Sequence, residues 1–203
     1  MNIEYVKNVF SSQELEILHN IINDRRIPTI DSTEYISYDK NKGTGKHDVL
    51  GRLQIGDIIA RCPENIINKI TAIANDFSDT PLIIDHAVYC EYNKKYGEPN
   101  LPPHVDRDSN DLIINFQLES SVSWDIGLGL NTYTIEDNSA LIFNGNTNIH
   151  WRPHKTFKDE EYVKMIFFRF GKENNKSDYS GLPTMQDDSY FDEVRAFRDD
   201  KLQ

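Results

Sequence analysis

The chain has 203 residues, 38% of them hydrophobic, which suits one domain with a sizeable core plus a tail. A net charge of −11 excludes charge-driven binding to nucleic acid or anionic lipid, which takes a surplus of Lys and Arg. Two cysteines, Cys62 and Cys90, do not make a disulfide scaffold; with no signal-peptide pattern and no apolar run of membrane-spanning length, the expectation is a soluble, cytoplasmic protein without a membrane partner.

Tyr5 to Phe10 is a short apolar lead-in. Ser11 and Glu14 form a capping box, and Leu15, Leu18, Ile21 and Ile22 recur at helical spacing, which predicts a helix to about Asp24. Pro28 bars its continuation. Residues 39–52 are a polar loop around Gly43-Thr44-Gly45-Lys46. It is no phosphate-binding loop, because the glycine spacing is wrong and His47 stands where Ser or Thr is required. The expectation there is a surface loop, with a lid over a substrate as the alternative. Pro63 opens a second helix, whose stripe is Ile66, Ile67, Ile70, Ile73 and Ala74. Both helices read as supports for a sheet, and His19 and His47 as surface residues.

From Pro81 the period becomes two. Leu82 to Tyr92 predicts a strand with Ile84, His86, Val88, Cys90 and Tyr92 on one face. A turn at Asn93 to Gly97 follows, and Pro99 to Pro103 holds the chain extended into His104. Further strands are expected at Leu112–Leu118, Trp124–Leu130, Tyr133–Ile135, Ala140–Phe143 and Tyr162–Phe170, the last apolar on nearly both faces. Many short strands between turns point to a sandwich or jelly roll. Trp124 and Trp151 read as packing residues and His86 as a hydrogen-bonded core histidine. In the polar tail, Tyr190, Phe191, Val194 and Phe197 recur at helical spacing after Ser189, which predicts a short helix packed back on the domain.

The chemistry lies in two stretches, His104-Val105-Asp106 and Asn148-Ile149-His150-Trp151-Arg152-Pro153. In extended chain, residues i and i+2 point to one side, so His104 and Asp106 reach a common metal, and His150 supplies a third ligand from a second strand end. Two His and one carboxylate with open positions is the facial triad of non-haem Fe(II) oxygenases. A lone His-x-Asp triplet carries little weight; its place before one strand and the distal His after another carry more.

From Tyr92 to Phe170 the chain resembles the iron(II)/2-oxoglutarate-dependent dioxygenases, their prolyl 4-hydroxylase-like branch in particular. The pattern is a Tyr-bearing strand (Tyr92), a glycine turn (Gly97), His104 and Asp106, a strand (Leu112–Leu118), a distal His (His150) and a later basic residue. The opening from Asn8 to Ile22 resembles the family's leading strand and helix, so the likeness spans most of residues 3 to 171. Ser120 to Trp124 replaces the family's Gly-Gly-Glu-Thr segment, and Glu160 stands ten residues after His150, where the basic residue usually lies.

The resemblance implies a mostly β (α+β) double-stranded β-helix, a cupin-like jelly roll, over residues 1–171 with supporting N-terminal helices, and a C-terminal extension over 172–203. It implies Fe(II), 2-oxoglutarate as cosubstrate, O2 and a supportive role for ascorbate. His104, Asp106 and His150 are the expected catalytic metal ligands, with His154 competing for the distal place because Lys164 lies ten residues beyond it. The 5-carboxylate of 2-oxoglutarate needs a cation inside the barrel, since a buried unpaired charge is costly. Lys164 is favoured, for it shares an alternating face with Ile166 and Phe168; Arg152 and Arg169 are alternatives, and Tyr92 offers a hydroxyl. Asp106 argues for hydroxylation, since halogenating members carry a small residue there. The substrate is a small molecule or a peptidyl side chain. The rivals are a zinc hydrolase on the same ligands and a cupin-like binding protein without turnover.

Overall fold

The computed structural model describes residues 3–24, 29–30, 52–56, 58–97, 99, 101–106, 110–172 and 189–200. The loop expected at 39–52 lies outside them except for Arg52, as do the His47 and Pro28 expectations. In chain order the elements are β1 (Ile3–Lys7), α1 (Ser12–Asn23), β2 (Thr29–Ile30), β3 (Arg52–Ile55), a 3-10 turn (Ile59–Arg61), α2 (Glu64–Asp76) and β4 (Ile83–Asn93). Then follow a second 3-10 turn (Lys94–Tyr96), β5 (Leu101–His104), β6 (Leu112–Ser120), β7 (Ile126–Leu128), β8 (Asn131–Tyr133), β9 (Ser139–Phe143), β10 (His150–Arg152), β11 (Tyr162–Gly171) and α3 (Ser189–Asp200). No helix among the described residues is long and apolar enough to cross a membrane.

From β4 onward the chain alternates between two antiparallel sheets. The larger has the order β1-β9-β6-β11-β4-β3-β2 and the smaller β5-β10-β7-β8. This is a double-stranded β-helix, as expected. The larger sheet is apolar on both faces because it is covered on both. Tyr89, Ile114, Phe116, Ile166 and Phe168 pack beneath the helices with Leu18, Ile66, Ile70 and Ala74. Cys90, Tyr92, Ile113, Val163 and Met165 face the smaller sheet and meet Ile126 and Leu128. At α1 the capping box is present: the Ser11 hydroxyl accepts from the Glu14 amide, and the Glu14 carboxylate accepts from the Ser11 amide.

Three local expectations are corrected. The predicted strand Trp124–Leu130 ends at Leu128, because Gly129 takes a left-handed conformation (φ 55°) and turns the chain into β8 two residues later. The second short strand is therefore Asn131–Tyr133 rather than Tyr133–Ile135. Ile84 leaves the face of Val88, Cys90 and Tyr92. His86 pairs with Arg169 but Ile84 pairs with Phe170, so Asp85 is an extra residue that flips the alternation and sends Ile84 to the helices.

Candidate metal centre

β5 ends on His104 and β10 opens on His150, and the two are direct cross-strand partners. Their rings are neighbours, with centroids 4.1 Å apart. Asp106 follows two residues beyond β5, where its amide donates to the Gly145 carbonyl at 2.8 Å. Gly145 is needed for close approach: a Cβ there would run into the Ile113 side chain and sit 3.2 Å from Asp106 Oδ2. His104 Nε2 and His150 Nε2 each lie 3.7 Å from Asp106 Oδ1. That is too long for a hydrogen bond and within what two bonds of about 2.1 Å to one ion can span.

The protonation states are set from behind. His104 Nδ1 lies 2.8 Å from the Pro102 carbonyl, and His150 Nδ1 3.0 Å from the Asn148 carbonyl. A carbonyl only accepts, so each Nδ1 carries a hydrogen, and each Nε2, with the ring neutral, presents a lone pair to the shared point. Burial holds the His150 pKa below its ordinary value, against the pull of Asp106, which keeps the imidazole neutral. Burial raises the Asp106 carboxyl, but Arg169, His150 and His104 together outweigh it and bring it to about 2. Two imidazoles, that of His150 held neutral by burial, and one carboxylate therefore converge, the residue types that bind a divalent cation. Asp106 Oδ2 is buried without a hydrogen-bond partner, and Arg169 Nε stands 3.9 Å from it.

A cation lies deeper in the barrel. Arg152 has no exposed surface. Its guanidinium donates to the Trp124 carbonyl, lies 2.9 Å from Met165 Sδ and sits over the Trp124 ring at 4.6 Å. Burial lowers its pKa to about 10, against Tyr92 and Asp125, so it stays charged at neutral pH. Tyr92 is fully buried beside it, edge-on to Trp124 at 4.8 Å, and its hydroxyl accepts from Arg52 at 3.3 Å. Arg152 Nε, Asn115 Oδ1 and Gln54 Oε1 are buried without hydrogen-bond partners. Asn115 is paired with Leu141, and Gln54 with Cys90, so both lie on the inner face. Unpaired polar atoms inside an apolar barrel are costly and mark a place built for a polar ligand.

Lys164 is corrected. It does alternate with Ile166 and Phe168, but that face lies under the helices, not inside the barrel. Its cross-strand neighbours are Glu91 and Glu119, and its ammonium pairs with Glu119 at 2.5 Å. His154 is exposed, and His150 is the histidine beside His104 and Asp106. His86 is half-buried, with Asp85 at 2.7 Å and Arg169 at 3.1 Å. Trp124 lines the inner face and Trp151 the outer one. Sequence reasoning missed Arg52, Gln54 and Asn115, which no motif marks.

No family model and no curated protein matches the sequence. Solved structures match in fold. HygX from Streptomyces hygroscopicus, with nickel and 2-oxoglutarate bound, aligns with a TM-score of 0.59 at 10% identity over 85% of this chain and 83% of that one. SnoN, the non-haem α-ketoglutarate-dependent epimerase from nogalamycin biosynthesis, gives 0.55 at 12% over 92% and 84%. A prolyl hydroxylase from Trichoplax adhaerens, in complex with a hypoxia-inducible-factor peptide fragment, gives 0.52 at 13% over 88% and 87%. These likenesses concern the fold.

Proposed function

We propose that the chain is an Fe(II)- and 2-oxoglutarate-dependent oxygenase that hydroxylates a small molecule or a peptidyl side chain. The observation that carries this reading is the convergence of His104 Nε2, His150 Nε2 and Asp106 Oδ1 in a barrel that also buries the Arg152 guanidinium without a carboxylate partner among the described residues. Bound iron with 2-oxoglutarate supplies O2-dependent oxidative chemistry that yields succinate and CO2 as a substrate C–H bond is oxidised. His104, Asp106 and His150 would hold the iron, and three protein ligands would leave positions for cosubstrate and O2. Arg152 supplies the positive charge for the 5-carboxylate, its unpartnered Nε–H being a free donor, and Tyr92 adds a hydroxyl. Val88, Trp124, Leu128 and Met165 keep water from that end. Asp106 as third ligand favours hydroxylation over halogenation. HygX is also known with hygromycin B bound, and the prolyl hydroxylase holds a peptide, so both substrate classes fit this fold.

The test is a titration of 2-oxoglutarate onto the Ni(II)-loaded chain, then succinate release with Fe(II), ascorbate and candidate substrate pools. Metal-dependent 2-oxoglutarate binding is expected. Metal binding with no 2-oxoglutarate binding would sink the reading and favour a cupin-like binder or a hydrolase.

A further inference from the structure

β10 is three residues long, yet it carries both ends of the proposed site. His150 and Arg152 point inward, and Trp151 between them points out into a cluster with Val194 and Phe197. On one side β10 pairs regularly with β7. On the other side the register slips: His150 faces His104, but Arg152 faces Leu101. In the partner strand, Leu101-Pro102-Pro103-His104, the two prolines have no N–H to give, so only the residues at its two ends can close the ladder to β10. A carbonyl has two lone pairs and can take a second donor beside the ladder. The Arg152 carbonyl accepts from Arg198 Nε on α3 at 3.0 Å, in a buried contact. Arg198 is only 8% exposed, and burial lowers its pKa.

The rest of α3 covers the same strand. Phe197 meets the Trp151 ring edge-on at 6.1 Å, and Val194 is fully buried. Trp151 lies across Gly127, where a Cβ would collide with the indole, and its Nε1–H donates to the Gly129 carbonyl at 2.9 Å.

We propose that Arg198 is a positioning residue: from α3 it adds a buried donor to the Arg152 carbonyl where the β10–β5 ladder slips, and so holds His150 and Arg152 in register for metal and carboxylate. The identity of those ligands rests on the oxygenase reading above; the brace itself does not.

The experiment uses the full chain with Arg198→Met, which keeps the stem's bulk and removes the donor, Arg198→Lys, which restores one, and Arg195→Ala as an exposed control on the same helix. Amide hydrogen exchange is read without added ligand, and 2-oxoglutarate affinity is read with Ni(II). Arg198→Met should speed exchange at residues 149–152 with β4 and β11 unchanged, and weaken 2-oxoglutarate about tenfold, the effect of roughly one charge-assisted hydrogen bond. Arg198→Lys should recover most of both, and Arg195→Ala should match wild type. Unchanged exchange at 149–152, loosening spread evenly over both sheets, or wild-type affinity in a loosened Arg198→Met each overturns the proposal. If the wild-type chain binds no 2-oxoglutarate, the oxygenase reading falls, and the exchange comparison alone decides whether Arg198 holds β10.

Discussion

Replacing Arg152 by Met separates what the fold needs from what a ligand needs. Burial takes the Arg152 pKa from an ordinary 12.5 to about 10. At about 1.36 kcal/mol per pH unit, that reflects roughly 3 kcal/mol of disfavour for the buried charge. Met removes that burden and keeps most of the stem. It also leaves the Trp124 carbonyl without its guanidinium donor, which costs about 1–3 kcal/mol. The two effects oppose each other, so the unfolding free energy of the ligand-free chain should stay within about 1–2 kcal/mol of wild type. Breaking a true buried ion pair costs about 3–5 kcal/mol. The effect on 2-oxoglutarate has no such offset. Losing a charge-assisted hydrogen bond costs about 1.5–3 kcal/mol, a fall in affinity of roughly ten- to 150-fold. Urea unfolding followed by circular dichroism gives the first quantity, and calorimetric titration of the Ni(II)-loaded chain the second. A stability loss of about 3 kcal/mol or more with unchanged 2-oxoglutarate affinity would make Arg152 a structural cation and refute the reasoning.

His104→Ala, Asp106→Ala and His150→Ala should each abolish Ni(II) binding with the circular dichroism spectrum preserved, while the exposed His154→Ala should bind normally; the reverse for the last two moves the distal ligand. Lys164→Met should leave 2-oxoglutarate affinity unchanged, because its ammonium is held by Glu119 on the helix side; a tenfold loss would restore Lys164 as the anchor. Burial raises the Glu119 carboxyl, but Lys164 and His19 outweigh it and hold the pKa below the ordinary 4.5. A folded pKa below the unfolded one contributes stability that is present above that unfolded value and lost as pH falls through the folded one. Lys164→Met should therefore flatten the acid limb below about pH 4.5, read as urea midpoints against pH; an unaltered limb would show the pair contributes nothing.

The parts legible in the sequence are those whose physics is local. A capping box needs only Ser11 and Glu14, three residues apart. The His104 and Asp106 pair needs only the two-residue repeat of extended chain. Strand alternation likewise separated the two faces of β11, and those of β4 from His86 to Tyr92, from the residues alone. Which face becomes the interior is a different kind of fact. β11 is apolar on both sides, so Lys164 beside Ile166 and Phe168 reads the same whether the cover is a helix or a second sheet. Only the layering of α1 and α2 over one face decides it, and it hands the interior cation to Arg152 from another strand. The slip at Asp85, the junction of His104 with His150, and the reach of Arg198 to the Arg152 carbonyl depend on contacts between residues 46 to 86 positions apart. No periodicity encodes such pairings, because they are set by what the packed sheets and helices bring within reach.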